Sequence, residues 1–137
     1  MTARVCWITV APVKGMALVH RDEVFVEPFG VRDNRRFHVV GEDGRLLNGK
    51  QLGELQQIAV HWDETDSALR FRFPDGSVAE GNVELGEPVT TSFFGRDVHG
   101  RLVVGPWWRR SASSSGARSG SSRRTRIVPR STAAPPA

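Results

Sequence analysis

Three observations predict an all-β or β-rich, mostly antiparallel, barrel-like domain: short strand-patterned segments recur between residues 4 and 104, turn signals separate them, and helical periodicity is nearly absent. Residues 4–10, RVCWITV, are apolar on both faces and rich in β-branched side chains, the pattern of a central strand, and Ala11 and Pro12 turn the chain at its end. Residues 18–27, LVHRDEVFVE, and 36–41, RFHVVG, read as further strands separated by a turn over residues 28–34. Side chains alternate along the second of these, so Phe37 and Val39 share one face while Arg36, His38 and Val40 share the other. The Asp43-Gly44 pair in EDGR then makes a tight hairpin that brings Leu46 and Leu47 back antiparallel.

Residues 48–57, NGKQLGELQQ, form the one predicted helix, short and interrupted by Gly53, before IAVHW resumes a strand. In LRFRF, residues 69–73, Leu69, Phe71 and Phe73 point inward and Arg70 and Arg72 outward, and PDG turns the segment into SVAEGNVEL. VTTSFF, residues 89–94, and VHGRLVV, residues 98–104, complete a set of about eight strands. Residues 1–108 therefore make one domain. Residues 109–137 form a Ser/Arg-rich tail with no periodicity, predicted to be disordered.

Charge follows the same division. Residues 1–108 hold 12 Lys and Arg against 15 Asp and Glu, a net of −3, whereas residues 109–137 hold 7 Arg and no acid. The high isoelectric point thus belongs to the tail, whose attraction to nucleic acid would be weak and salt-sensitive. One cysteine, Cys6, excludes an internal disulfide and a cysteine-rich zinc site, and fits a reducing, cytoplasmic setting. Within the first apolar strand it reads as a buried, inert thiol. The run VCWITVA is too short to span a bilayer and carries no convincing cleavage site.

Catalytic and metal constellations are not apparent. His20, His38, His61 and His99 lack a paired spacing, and there is no Walker-type loop, dinucleotide fingerprint or nucleophile elbow. Two stretches carry anion chemistry instead. APVKGM, residues 11–16, offers the Lys14 ammonium beside Gly15, whose missing side chain lets backbone N–H groups approach an anion; a plain surface turn fits the same residues. In GVRDNRRFHVV, residues 30–40, Arg35 and Arg36 flank a strand mouth, either as an ordinary edge pair with solvated heads or as a fork for a phosphate. If the two stretches meet, Lys14 and Arg35 form a two-sided clamp for a phosphate-bearing ligand.

Taken in order, APVKGM, GVRDNRRFHVVGEDGRLLNGKQLGEL and VELGEPVTTSFFGRDVHGRLVVGPW resemble the N-terminal β-barrel domain of MOSC (molybdenum cofactor sulfurase C-terminal) proteins over residues 4–107. The most specific parts are the strand followed by P-V-K-G and the turn similar to G-D-R-R-F/W followed by V-V-x-E-D-G-R. The resemblance implies a partner MOSC domain, a pterin-based molybdenum cofactor held between the two, and either cofactor sulfur transfer or reduction of N-hydroxylated compounds in the intact protein. It also implies that Lys14 and Arg35 face that cofactor, with Arg36 the adjoining position; Gly15, read from the turn itself, completes the cofactor-binding set. Asn34 stands where the family pattern has Asp, so orientation of Arg35 would pass to an amide oxygen. No MOSC domain follows here, which implies a chain inactive alone and an apolar surface, Trp107 and Trp108 included, that such a domain would cover.

A second function class is a small β-barrel binding nucleic acid through the basic tail, with exposed aromatics for stacking. The acidic barrel and the inward alternation of Phe71 and Phe73 oppose it. A third reading concerns the tail's origin. With GC-rich synonymous codons, reading from the last base of the Trp108 codon gives AALGEFVGRPVRLV, which looks like the helix and strand that family members have there, so a gene frameshift would account for the tail. Resequencing the locus is expected to place a frame change near Trp108; an in-frame read to Ala137 excludes it.

Overall fold

The computed structural model describes residues 1–106 and 126–129. In chain order the strands are β1 (Thr9–Val10), β2 (Val19–His20), β3 (Val26–Glu27), β4 (Gly30–Val31), β5 (Phe37–Val40), β6 (Leu46–Leu47), β7 (Ala59–Asp63), β8 (Ala68–Arg72), β9 (Val78–Asn82), β10 (Glu84–Phe93), β11 (Arg96–Val104) and β12 (Arg126–Pro129), with a single 3-10 helix at Gly53–Gln57. They build a five-stranded sheet in the order β10-β11-β12-β5-β6, a three-stranded sheet β7-β8-β9, and two small pairs, β1-β2 and β3-β4. All named pairings are antiparallel. The fold is thus β-rich and antiparallel, as the strand pattern predicts.

β5 is central, and its sequence shows why: Phe37, His38, Val39 and Val40 are all buried, because both faces of the sheet are covered. Phe37, Val39, Val103 and Ile127 pack with Val60, Trp62, Leu69 and Phe71 of the three-stranded sheet. On the opposite face Val40, Leu102 and Val128 form a second cluster, backed by Val89. Period-two alternation places these neighbours on opposite faces, as the pairs Leu102/Val103 and Ile127/Val128 illustrate. Leu69 and Phe71 are buried and Arg70 and Arg72 exposed, as LRFRF dictates.

The five-stranded sheet curls until its ends meet. β10 and β6 are its two edges, yet the Ser92 N–H donates to the Gly44 carbonyl at 3.1 Å, and Arg45 bridges Ser92 in parallel. Across the enclosed side, His38 Nε2 and the Thr91 hydroxyl share a hydrogen bond at 3.1 Å, both residues being buried. The EDGR hairpin that permits this has Gly44 at φ +74, a conformation natural to glycine.

Four expectations are corrected. RVCWITV is not a central strand: only Thr9 and Val10 pair, with β2, and residues 1–7 are exposed. The reason is that both flanks of β5 are occupied, by β12 and β6, so the segment finds no slot in the sheet. Cys6 is consequently exposed rather than buried. The segment 18–27 breaks into β2 and β3 around the charged Arg21, Asp22 and Glu23, and β3 turns at Pro28 and Phe29 to pair with β4. The helix expected over residues 48–57 shrinks to Gly53–Gln57, because the Asn48 carbonyl accepts from the Gln51 and Leu52 N–H groups in a turn and Leu52 supplies no capping side chain.

Most of the tail, along with Trp107 and Trp108, lies outside the described residues. Its exception is β12, which the expectation of disorder missed. Arg126–Pro129 pair with β5 along their length and with β11 at Val103, filling the gap between the two. Ile127 and Val128 are the apolar residues that make this favourable, and Val128 occupies the notch left by Gly100, where an added Cβ would lie 2.5 Å from its Cγ1. Ile127→Ala should therefore lower the unfolding free energy by about 2–4 kcal/mol, the cost of a buried aliphatic truncation. Urea unfolding checks it, an unchanged midpoint indicating that the strand contributes nothing.

A candidate anion site at the mouth of the barrel

Residues 11–14 lie parallel to the entrance of β5. The Arg35 N–H donates to the Ala11 carbonyl at 2.6 Å, the Phe37 N–H to Pro12 at 2.9 Å, and the Lys14 N–H to Phe37 at 2.8 Å. The structure thus brings the APVKGM turn and the double-arginine strand mouth together. Pro12 suits this arrangement because it lacks an N–H and is used only through its carbonyl. Asn34 seals the junction differently from the expectation: its Oδ1 accepts from the Ala11 N–H at 3.0 Å and so holds the turn rather than a guanidinium.

The three cations part from this junction. Lys14 Nζ rests 5.6 Å from the Phe93 ring centroid and 5.4 Å from that of Phe94, at the β10–β11 hairpin. Arg36 goes the other way, its guanidinium 5.0 Å from the Trp62 ring and 3.5 Å from Asp33 Oδ1. Arg35 is exposed and left-handed, with φ +54, and Asp33 two residues earlier is left-handed too at φ +66. Such backbone in non-glycine residues costs on the order of 1 kcal/mol or more and clusters at functional sites. Gly15 has φ +87, which suits glycine, but its bare side is filled: an added Cβ would sit 3.3 Å from Asn48 Cα. The missing side chain lets the turn pack closely against residues 48–49.

Burial sets the electrostatics. The His38 imidazole is driven down to about 4 by burial first and by the Lys14 charge second, so it is neutral at physiological pH. Its ring meets Phe93 edge-on with centroids 4.7 Å apart, giving the aromatic pair that carries Lys14 a fixed base. Burial raises the Asp33 carboxyl above its usual range despite the Arg36 charge, and Oδ1 makes no hydrogen bond. Arg32 stacks 5.0 Å from Phe25 and pairs with Glu27 at 2.7 Å, so it belongs to the β3–β4 corner.

Sequence reasoning singled out Lys14, Gly15, Arg35 and Arg36 and missed His38, Phe93 and Phe94. A signal for the last lay in SFFGRD, whose Phe94-Gly95 is a two-residue hairpin turn hidden inside an apolar run. Among the described residues no cluster of His, Cys, Asp and Glu is placed to hold a metal ion, and no helix is long and apolar enough to cross a membrane. A model of the MOSC N-terminal beta barrel domain matches residues 2–103. No curated protein and no solved structure matches the chain.

His38 yields a pH prediction. Its folded value lies below the 6.5 of the unfolded chain, so above pH 6.5 both states are neutral and the ring costs nothing. Between pH 6.5 and about 4 the unfolded chain takes up a proton that the folded state excludes, and stability falls, levelling off below. Denaturant midpoints across this window should decline in the wild type and decline less in His38→Gln; identical slopes contradict the assignment.

Proposed function

The chain belongs to the MOSC N-terminal β-barrel domain family, and from that premise we propose that its barrel mouth is one half of a molybdenum-cofactor site whose other half is a MOSC domain. The observation that supports this reading is the hydrogen-bonded junction of residues 11–14 with residues 35–37, which joins the backbone that carries Lys14 to the backbone that carries Arg35. The donor set fits the group: molybdopterin ends in a phosphate, and Lys14 and Arg35 are the cation types that bind one, as a point charge and as a planar fork. When bound, the cofactor supplies the redox or sulfur-carrying chemistry of its molybdenum.

This chain's residues bind and orient. Lys14 and Arg35 take the phosphate, Gly15 shapes the turn that presents Lys14, and Asn34 locks the turn to the strand mouth. Arg36, engaged with Asp33 and Trp62, supports the mouth from the opposite side. Sulfur transfer or reduction of N-hydroxylated compounds would belong to the complete two-domain protein, in the cytoplasm, and the barrel by itself would be inactive. In the nucleic-acid alternative Phe71 could not serve as a stacking platform, because its ring is in the core.

The test is cofactor retention by the full chain combined with a MOSC domain supplied in trans. Arg35→Ala should weaken retention by about 1.5–3 kcal/mol, the value of a hydrogen bond to a charged group, with Lys14→Ala similar. Arg36→Ala should matter less. Equal retention by the wild type and the Arg35 variant would return the arginine pair to an ordinary solvated strand edge.

A further inference from the structure

The hairpin joining β10 to β11 turns on Phe94 and Gly95, flanked by the Phe93↔Arg96 pair. Both turn residues have positive φ, +45 and +84. This is the signature of a primed two-residue turn, which matches strand twist and is ordinarily made by Asn-Gly or Asp-Gly. A phenylalanine in the first position bears the steric cost of left-handed backbone without the local hydrogen bonds that Asn or Asp would add. Burial does not offset the cost, since Phe94 is 80 % exposed. Neither turn geometry nor core packing therefore accounts for the residue.

Its surroundings do. The ring lies 5.4 Å from Lys14 Nζ, and the same ammonium lies 5.6 Å from Phe93, whose edge contact with the buried His38 anchors the group to β5. His38 in turn is tied to Thr91 in β10, so the base of the hairpin is fixed while Phe94 stands outward beside the cation. An aromatic face and an ammonium at this spacing match a ligand that joins a flat ring to a phosphate by a short link. We infer that Phe94 is a stacking platform for the planar heterocycle of a phosphorylated ligand whose phosphate Lys14 receives, an inference that rests on the half-site reading above. In that pairing the ring selects the ligand's flat part and the ammonium its anion, so affinity for a pterin phosphate exceeds that for phosphate alone.

The experiment uses the full chain with two probes, inorganic phosphate by calorimetry and 6-hydroxymethylpterin monophosphate by fluorescence anisotropy, on wild type, Phe94→Asn, Phe94→Tyr and Lys14→Ala. Phe94→Asn should raise the thermal midpoint, because Asn suits the turn, while weakening the pterin phosphate roughly 3- to 10-fold, the span of an aromatic stacking contact. Phosphate binding should stay unchanged in that variant, and Phe94→Tyr should retain pterin binding. Lys14→Ala should weaken both probes. Unaltered pterin affinity in Phe94→Asn overturns the platform and leaves the clamp standing. Phosphate binding that is absent from the wild type, or indifferent to Lys14→Ala, overturns the half-site reading itself.

Discussion

The curl of the five-stranded sheet is the constraint on which the mouth depends. Its edge strand β10 is tied to the β5–β6 hairpin by the Ser92 N–H on the Gly44 carbonyl and to β5 by the His38–Thr91 hydrogen bond. A flat sheet of the same strands would leave the β10–β11 hairpin far from the entrance of β5. Curled, it carries Phe93 and Phe94 to Lys14, and it shuts His38 away from water so that the ring stays uncharged beside an ammonium. Electrostatics and architecture agree here, because a protonated His38 would repel the cation that the mouth presents.

The second organising feature is the parallel contact of residues 11–14 with residues 35–37. It is short, and three backbone hydrogen bonds plus the Asn34 side chain make it specific. Left-handed backbone at Asp33 and Arg35 follows from forcing a turn and a strand start into this contact. Strain of that kind persists only when neighbours over-determine the conformation, and here the buried Val13 and Phe37 on either side do so. Arg36 and Lys14 then leave the junction in opposite directions, one onto Trp62 and the other onto the hairpin rings.

β12 shows how far composition can mislead. A tail dense in Ser and Arg reads as unstructured, and four of its residues nonetheless occupy the centre of the sheet. What matters is that the groove between β5 and β11 needs two apolar side chains in alternation, with hydrogen-bonding groups to complete the ladder, and Ile127 and Val128 provide the pair. The N-terminal RVCWITV, a stronger strand by any propensity, stays outside because its connection to residues 11–14 leads it away from that groove. Intrinsic preference is subordinate to which slot the chain can reach.

Local chemistry was legible in the sequence: the alternation of LRFRF and RFHVV, the Asp-Gly and Pro-Asp-Gly turns, and the P-V-K-G and N-R-R-F stretches whose order identifies the family. Each of these depends on near neighbours in the chain, so periodicity and turn residues suffice to find it. The tertiary structure alone decided what lies across space. It separated Arg36 from Lys14, assigned Asn34 to the Ala11 N–H, filled the bare side of Gly15 with Asn48, buried His38, and stood Phe94 beside the ammonium. Those outcomes follow from sheet curvature and from competition for places beside β5, which involve residues tens of positions apart and leave no periodic trace.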